Sequence, residues 1–206
     1  MKTRLTALAS SVLLLASATT LAASNVDLTV KGLIVPSACT PSFSGGGVID
    51  HGKISAKDLN PDSYTIIGNH TLSMAVSCDA AIQFALHSVD NRAASGATSS
   101  YGLGFVNDSQ KLGWYSLSLR NPVAEGGTVV QPIGSYDQGN TWFRENIWEP
   151  GMYMSVASMD DDTQPVAVKD LRLDLGVQTV INRADGLDLS NEVTIDGSAT
   201  LEVKYL

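Results

Sequence analysis

Ala199-Thr-Leu-Glu-Val-Lys-Tyr-Leu206 closes the sequence. Ala199, Leu201, Val203 and Tyr205 fall on one side of this run, and Thr200, Glu202 and Lys204 on the other. A period of two is that of a half-buried β-strand with one apolar face. A strand at a chain end offers its backbone N–H and C=O groups to any segment that can pair with them. Near the other end, Val26-Asp-Leu-Thr-Val-Lys-Gly-Leu-Ile-Val35 reads as a second apolar strand. Two open β segments at opposite ends predict a domain built to join copies of itself.

Residues 1–23 read as a secretory signal. Lys2 and Arg4 supply the positive start, Leu5 to Ala18 hold the apolar run, and Thr20-Leu-Ala22-Ala23 offers small residues for cleavage. The apolar run is too short for a membrane span, and no later stretch reaches about 18 apolar residues. The expected organisation is a signal over 1–23, an N-terminal extension over 24–35 and a single domain over 36–206. Losing Lys2 and Arg4 takes the formal charge from −8 to −10. No basic cluster follows, so a nucleic-acid partner is not expected.

Cys39 and Cys78 are the chain's two cysteines. In an oxidising compartment an isolated pair most simply forms one disulfide. Closing a loop of about 40 residues gives roughly 4 kcal/mol on the chain-entropy model. His51, His70 and His87 complete no zinc spacing with these thiols. Neither a metal nor a cofactor is expected.

Short alternating runs separated by turn residues fill the remainder. Val48–Ile54 reads as a weak strand, and Tyr64–Cys78 alternates over Leu72, Met74, Val76 and Cys78. Ile82, Phe84 and Leu86 share a phase. Tyr101–Val106 and Leu112–Arg120 suggest a hairpin around Asn107–Gln110. Val166–Ile181 changes phase at Lys169-Asp170, which predicts a bulge or a switch of sheet, and Val193–Ile195 precedes the last strand. Strands every 10 to 15 residues with glycine-rich turns predict an all-β sandwich.

Leu28-Thr-Val-Lys-Gly-Leu-Ile-Val-Pro-Ser-Ala-Cys39, the second cysteine about 40 residues on, and the penultimate Tyr205 together resemble a chaperone–usher pilin. Tyr101-Gly-Leu-Gly104 and the stretch from Asp196 to Leu206 are similar to an uncharacterised fimbrial-like group of Gram-negative bacteria, known as a domain of unknown function. Pilins carry a glycine about 14 residues from the end. Val193 stands there in this chain, and Gly197 is the nearest glycine.

The resemblance implies an immunoglobulin-like sandwich that lacks one strand and is completed by donation from another molecule. Ala199, Leu201, Val203 and Tyr205 would border the receiving groove. A periplasmic chaperone would occupy it first, and then, at an outer-membrane usher, the next pilin subunit. Val26, Leu28, Val30 and Ile34 would be the donated side chains, with Gly32 where backbones approach closely. Burying three or four aliphatic side chains gives on the order of 5–10 kcal/mol before ordering costs. The implied role is a structural subunit of a surface fimbria that supports cell adhesion, passing through the periplasm to the cell surface. The competing reading of residues 26–35 is a first strand paired within its own chain. The competing functions are a carbohydrate-binding adhesin and a soluble periplasmic β-sandwich.

Enzymatic chemistry finds little support. No Gly-x-Ser-x-Gly elbow occurs, and Asp160-Asp-Asp162 does not match a calcium loop. His87 is expected to face outward, and His51 and His70 to sit in or near turns. The stretch Tyr136 to Tyr153 groups aromatics with Asn, Gln and Asp, which suits sugar faces and hydroxyls. Trp142 and Trp148 either contact a glycan there or pin a long loop against the sandwich.

Overall fold

The computed structural model describes Thr29, Gly32 and residues 38–206. The chain divides into two compact units, Met1–Ile34 and Val35–Leu206. The second carries β1 (Cys39–Phe43), β2 (Thr65–Ile82), β3 (Phe84–Asp90), β4 (Tyr101–Gly102), β5 (Phe105–Val106), β6 (Gln110–Lys111) and β7 (Gly113–Ala124). Then follow β8 (Thr128–Val129), β9 (Gln131–Ser135), β10 (Phe143–Arg144), β11 (Ile147–Trp148), β12 (Tyr153–Ala157), β13 (Val168–Ile181) and β14 (Ala199–Tyr205). Among the described residues the helical segments are short 3₁₀ stretches of three or four residues, and no helix is long and apolar enough to cross a membrane.

The strands form an antiparallel β-sandwich. One sheet runs β1-β2-β13-β7-β11, with β4 and β8 also on β7; the other runs β10-β9-β12-β3-β14. Alternation places Met74, Val76 and Cys78 of β2, Leu117 and Leu119 of β7, and Leu171, Leu173 and Leu175 of β13 on the inner face of the first sheet. Phe84 and Leu86 of β3 and Met154 and Val156 of β12 meet them from the second. Tyr101 on β4 ties the layers together: its hydroxyl lies 2.6 Å from Ser88 Oγ on β3, and its ring stacks on Tyr115 with centroids 5.0 Å apart.

The disulfide forms as expected. Cys39 and Cys78 stand directly opposite in the β1–β2 ladder and are joined. The predicted bulge is present as well, since the β13–β2 register slips between Val168 and Asp170. That slip lets Val168 and Leu171 both face inward although they stand three positions apart.

Several expectations are corrected. Val48–Ile54 and Val193–Ile195 form no strand, because among the described residues no neighbouring backbone completes a ladder with them. Ile82 ends β2 opposite Val168 instead of opening β3. His70 lies inside β2, paired with Val177, and not in a turn.

The two open sides of the sandwich differ. On one, residues 143–148 cross between sheets: Phe143 pairs with Gly134 at the edge of the second, and Ile147 with Ser118 at the edge of the first. Trp148 plugs this side. It is wholly buried, and its indole N–H donates to the Met152 carbonyl at 3.0 Å. Burial removes Trp148 from any receptor surface. On the other side stand β1 and β14, the remaining edges of the two sheets.

Candidate functional site: a groove between the first and last strands

Lip one begins at β1 and continues through the Gly45-Gly46-Gly47 turn, whose three glycines all have positive φ, into residues 48–54, which have no regular structure and turn again at Gly52, φ 61°. Lip two is residues 191–198 followed by β14. Tyr205 clasps one end of the pair: the Cys39 N–H donates to its hydroxyl at 3.0 Å. From there the lips separate over the core.

Two connected clefts lie between them. The first, about 280 Å³, is floored by Leu72, Leu117, Leu175 and Val177 and flanked by Phe43, Ile49, Ile195 and Leu201. The second, about 590 Å³, continues past Leu59, Leu112, Ile181 and Leu189. Ile49, His51 and Ile195 border both clefts, so the two form one groove. The floor is the sandwich core itself.

The lips carry little backbone pairing. Among the described residues no strand pairs with 48–54 or with 191–198, and β14 pairs only with β3. Lip two is tied back near its end: the Asp196 N–H donates to the Leu103 carbonyl at 3.1 Å, the Ser198 carbonyl accepts from the Asn91 N–H at 2.9 Å, and the Asp196 carboxylate pairs with Arg92 at 2.7 Å. Val48 remains 74% exposed, a large cost for an aliphatic residue in extended backbone. Ala199, Leu201 and Val203 are only half-buried although they pack on the core. An edge of this kind, apolar and unpaired, is a template for another strand.

One polar waist interrupts the groove. His51 Nε2 lies 3.1 Å from Thr179 Oγ1, and its ring meets His70 edge-on at 5.0 Å. Burial, and then the His70 imidazole, push the pKa of His51 below the ordinary histidine value, while Asp50 works the other way. The outer face of β14 is ionic. Glu202 lies 2.6 Å from Lys204 Nζ and 3.4 Å from His87 Nδ1, and the Lys204 ammonium, then His87, hold its carboxyl below the usual range. Among the described residues no cluster of three or more His, Cys, Asp or Glu could hold a metal ion.

The named C-terminal residues therefore come together with the disulfide on one side of the molecule. Val26, Leu28, Val30 and Ile34 lie outside the described residues; Gly32 lies within them and is exposed. Sequence reasoning missed Phe43, Ile49 and Ile195 as groove walls. The available signal was an alternating apolar run bounded by glycines, which reads the same whether or not a partner strand exists.

The fold and site define an all-β sandwich with an open, apolar, strand-sized groove between its terminal strands. Residues 28–100, which hold both cysteines and β1 to β3, match the family model described as "Protein of unknown function (DUF1120)". The chain is 26% identical over 221 residues to the uncharacterized protein YhcF of Escherichia coli strain K12, with 90% of this chain and 92% of that protein covered. It is 24% identical over 227 residues to protein GltF of the same organism, with 88% and 89% covered.

Proposed function

We propose that this chain is an exported, non-enzymatic subunit of a surface fimbria whose groove receives a β-strand from another molecule. The open groove between two unpaired lips carries this reading, because its floor is made of the same leucines and valines that form the core. A ten-residue segment spans about 33 Å in extended form. Residues 26–35 supply such a segment, with apolar side chains at alternate positions. In transit a periplasmic chaperone strand would cover the groove, and at an outer-membrane usher the extension of the next subunit would replace it. The assembled fibre would support cell adhesion. Ladder bonds to β14 would satisfy an edge that otherwise invites aggregation.

Deleting Ser24–Val30 and running unboiled samples on a gel tests the reading. The expected result is loss of oligomers, restored when a synthetic peptide of residues 24–35 is linked to a second copy. Unchanged oligomers after the deletion would overturn donation between molecules.

A further inference from the structure

We propose that the stacked rings of Tyr136 and Phe143 form a second site, a ledge that binds neutral sugar rings. Both side chains are exposed, Tyr136 by 64% and Phe143 by 38%. Their centroids lie 5.5 Å apart at 26°. Stacking takes one face of each ring, and both side chains keep solvent-exposed surface. β10, which carries Phe143, is separated from β14 by three strands, so filling the groove leaves the ledge uncovered.

The ledge is held in place before any ligand arrives. Tyr136 follows β9 directly, and Asp137 ties down the turn behind it. The Asp137 carboxylate accepts from Ser135 Oγ at 2.8 Å, from the Thr141 N–H at 2.9 Å and from Thr141 Oγ1 at 2.7 Å. These bonds maintain Gln138 at φ 60°, a backbone conformation unfavourable to that residue. Burial first, and then the Glu149 and Glu145 carboxylates, push the pKa of the Tyr136 hydroxyl above the ordinary tyrosine value. Trp142 ties the same turn down further: its indole N–H donates to the Gly139 carbonyl at 3.0 Å.

The chemistry selects the ligand. A flat, exposed ring face suits the C–H face of a pyranose, and carboxylates beside it accept sugar hydroxyls. Glu145 Oε1 takes the Asn146 and Ile147 N–H groups, each at 2.7 Å, which leaves its second oxygen for a ligand. Glu145, Glu149 and the chain's net negative charge repel sialylated or sulfated glycans. Two aromatic side chains bury at most roughly 500 Å², well below the ~1,200 Å² of a stable protein interface. Affinity at one ledge is weak, and repetition along a fibre would raise it by avidity.

The test places the purified monomer on an array of neutral hexose and N-acetylhexosamine oligosaccharides of two to six rings, beside sialylated and sulfated counterparts and an arginine-rich peptide. Binding to neutral members, a loss of tenfold or more in Tyr136→Ala and near-full retention in Tyr136→Phe are expected. Tyr136 is exposed, so melting of the variants should match wild type. Absence of neutral-glycan binding, preference for the acidic members or the basic peptide, or unchanged binding in Tyr136→Ala would overturn the proposal. The monomer needs no fibre, so this outcome is independent of the strand-donation test.

Discussion

Replacing Trp148 with alanine should remove the plug that closes one side of the sandwich. Truncating a buried tryptophan costs about 3–5 kcal/mol through lost transfer energy and the cavity left behind. The indole bond to the Met152 carbonyl, 3.0 Å long, is lost as well. Leaving that buried acceptor short of a donor adds roughly 1 kcal/mol. The total of about 4–6 kcal/mol is a large share of the ~5–15 kcal/mol that holds a typical domain together. For a domain of this size it corresponds to a fall in melting temperature of about 8–24 °C. Urea melts followed by circular dichroism measure it, with Trp142→Ala as the contrast. Trp142 is part-exposed and its indole bonds within its own turn, so that variant should lose less than about 1.5 kcal/mol. Equal losses in the two variants would refute the assignment of Trp148 as the plug.

Two further outcomes follow from titrating groups. Asp137 is held down to about 2 by its bonds from Thr141 first and then Ser135, against about 3.9 in an unfolded chain. Its support of the 136–142 turn is therefore complete above about pH 4 and fades as pH falls toward 2, which the chemical shifts of Thr141 and Tyr136 should follow; a midpoint near 4 would contradict the bonding. His51 resists protonation in the folded state, so the unfolded chain binds the extra proton, and stability should fall as pH drops below about 6.5. His51→Asn should flatten stability between pH 7 and 5, and an unchanged slope would show that the waist does not titrate as described.

Much of the fold was legible in sequence because period-two alternation requires a partner face. β14, the long run of β2 and the slip at Lys169-Asp170 all announced themselves this way. The disulfide followed from an isolated pair of cysteines and an expected oxidising destination. Pairing itself was not legible. Val48–Ile54 and Val193–Ile195 have strand-like composition, yet among the described residues neither pairs with a strand, since a ladder depends on a neighbour and not on local preference. The same limit hid the groove, whose walls are contributed by those two runs. In the 136–153 stretch, composition could not decide which ring points inward. Trp148 does so because its two-residue strand pairs with β7, too short a signal to detect, while Tyr136, on the turn that follows β9, and Phe143, on β10, are left outside.

Amide hydrogen exchange across the two lips tests the central claim most directly. In a chain beginning at Val35, the amides of residues 48–54 and the outward-facing amides of β14 should exchange rapidly. Adding a peptide of residues 24–35 should slow both sets together. Slow exchange without the peptide, or no change on adding it, would mean that the groove is not a strand-receiving site.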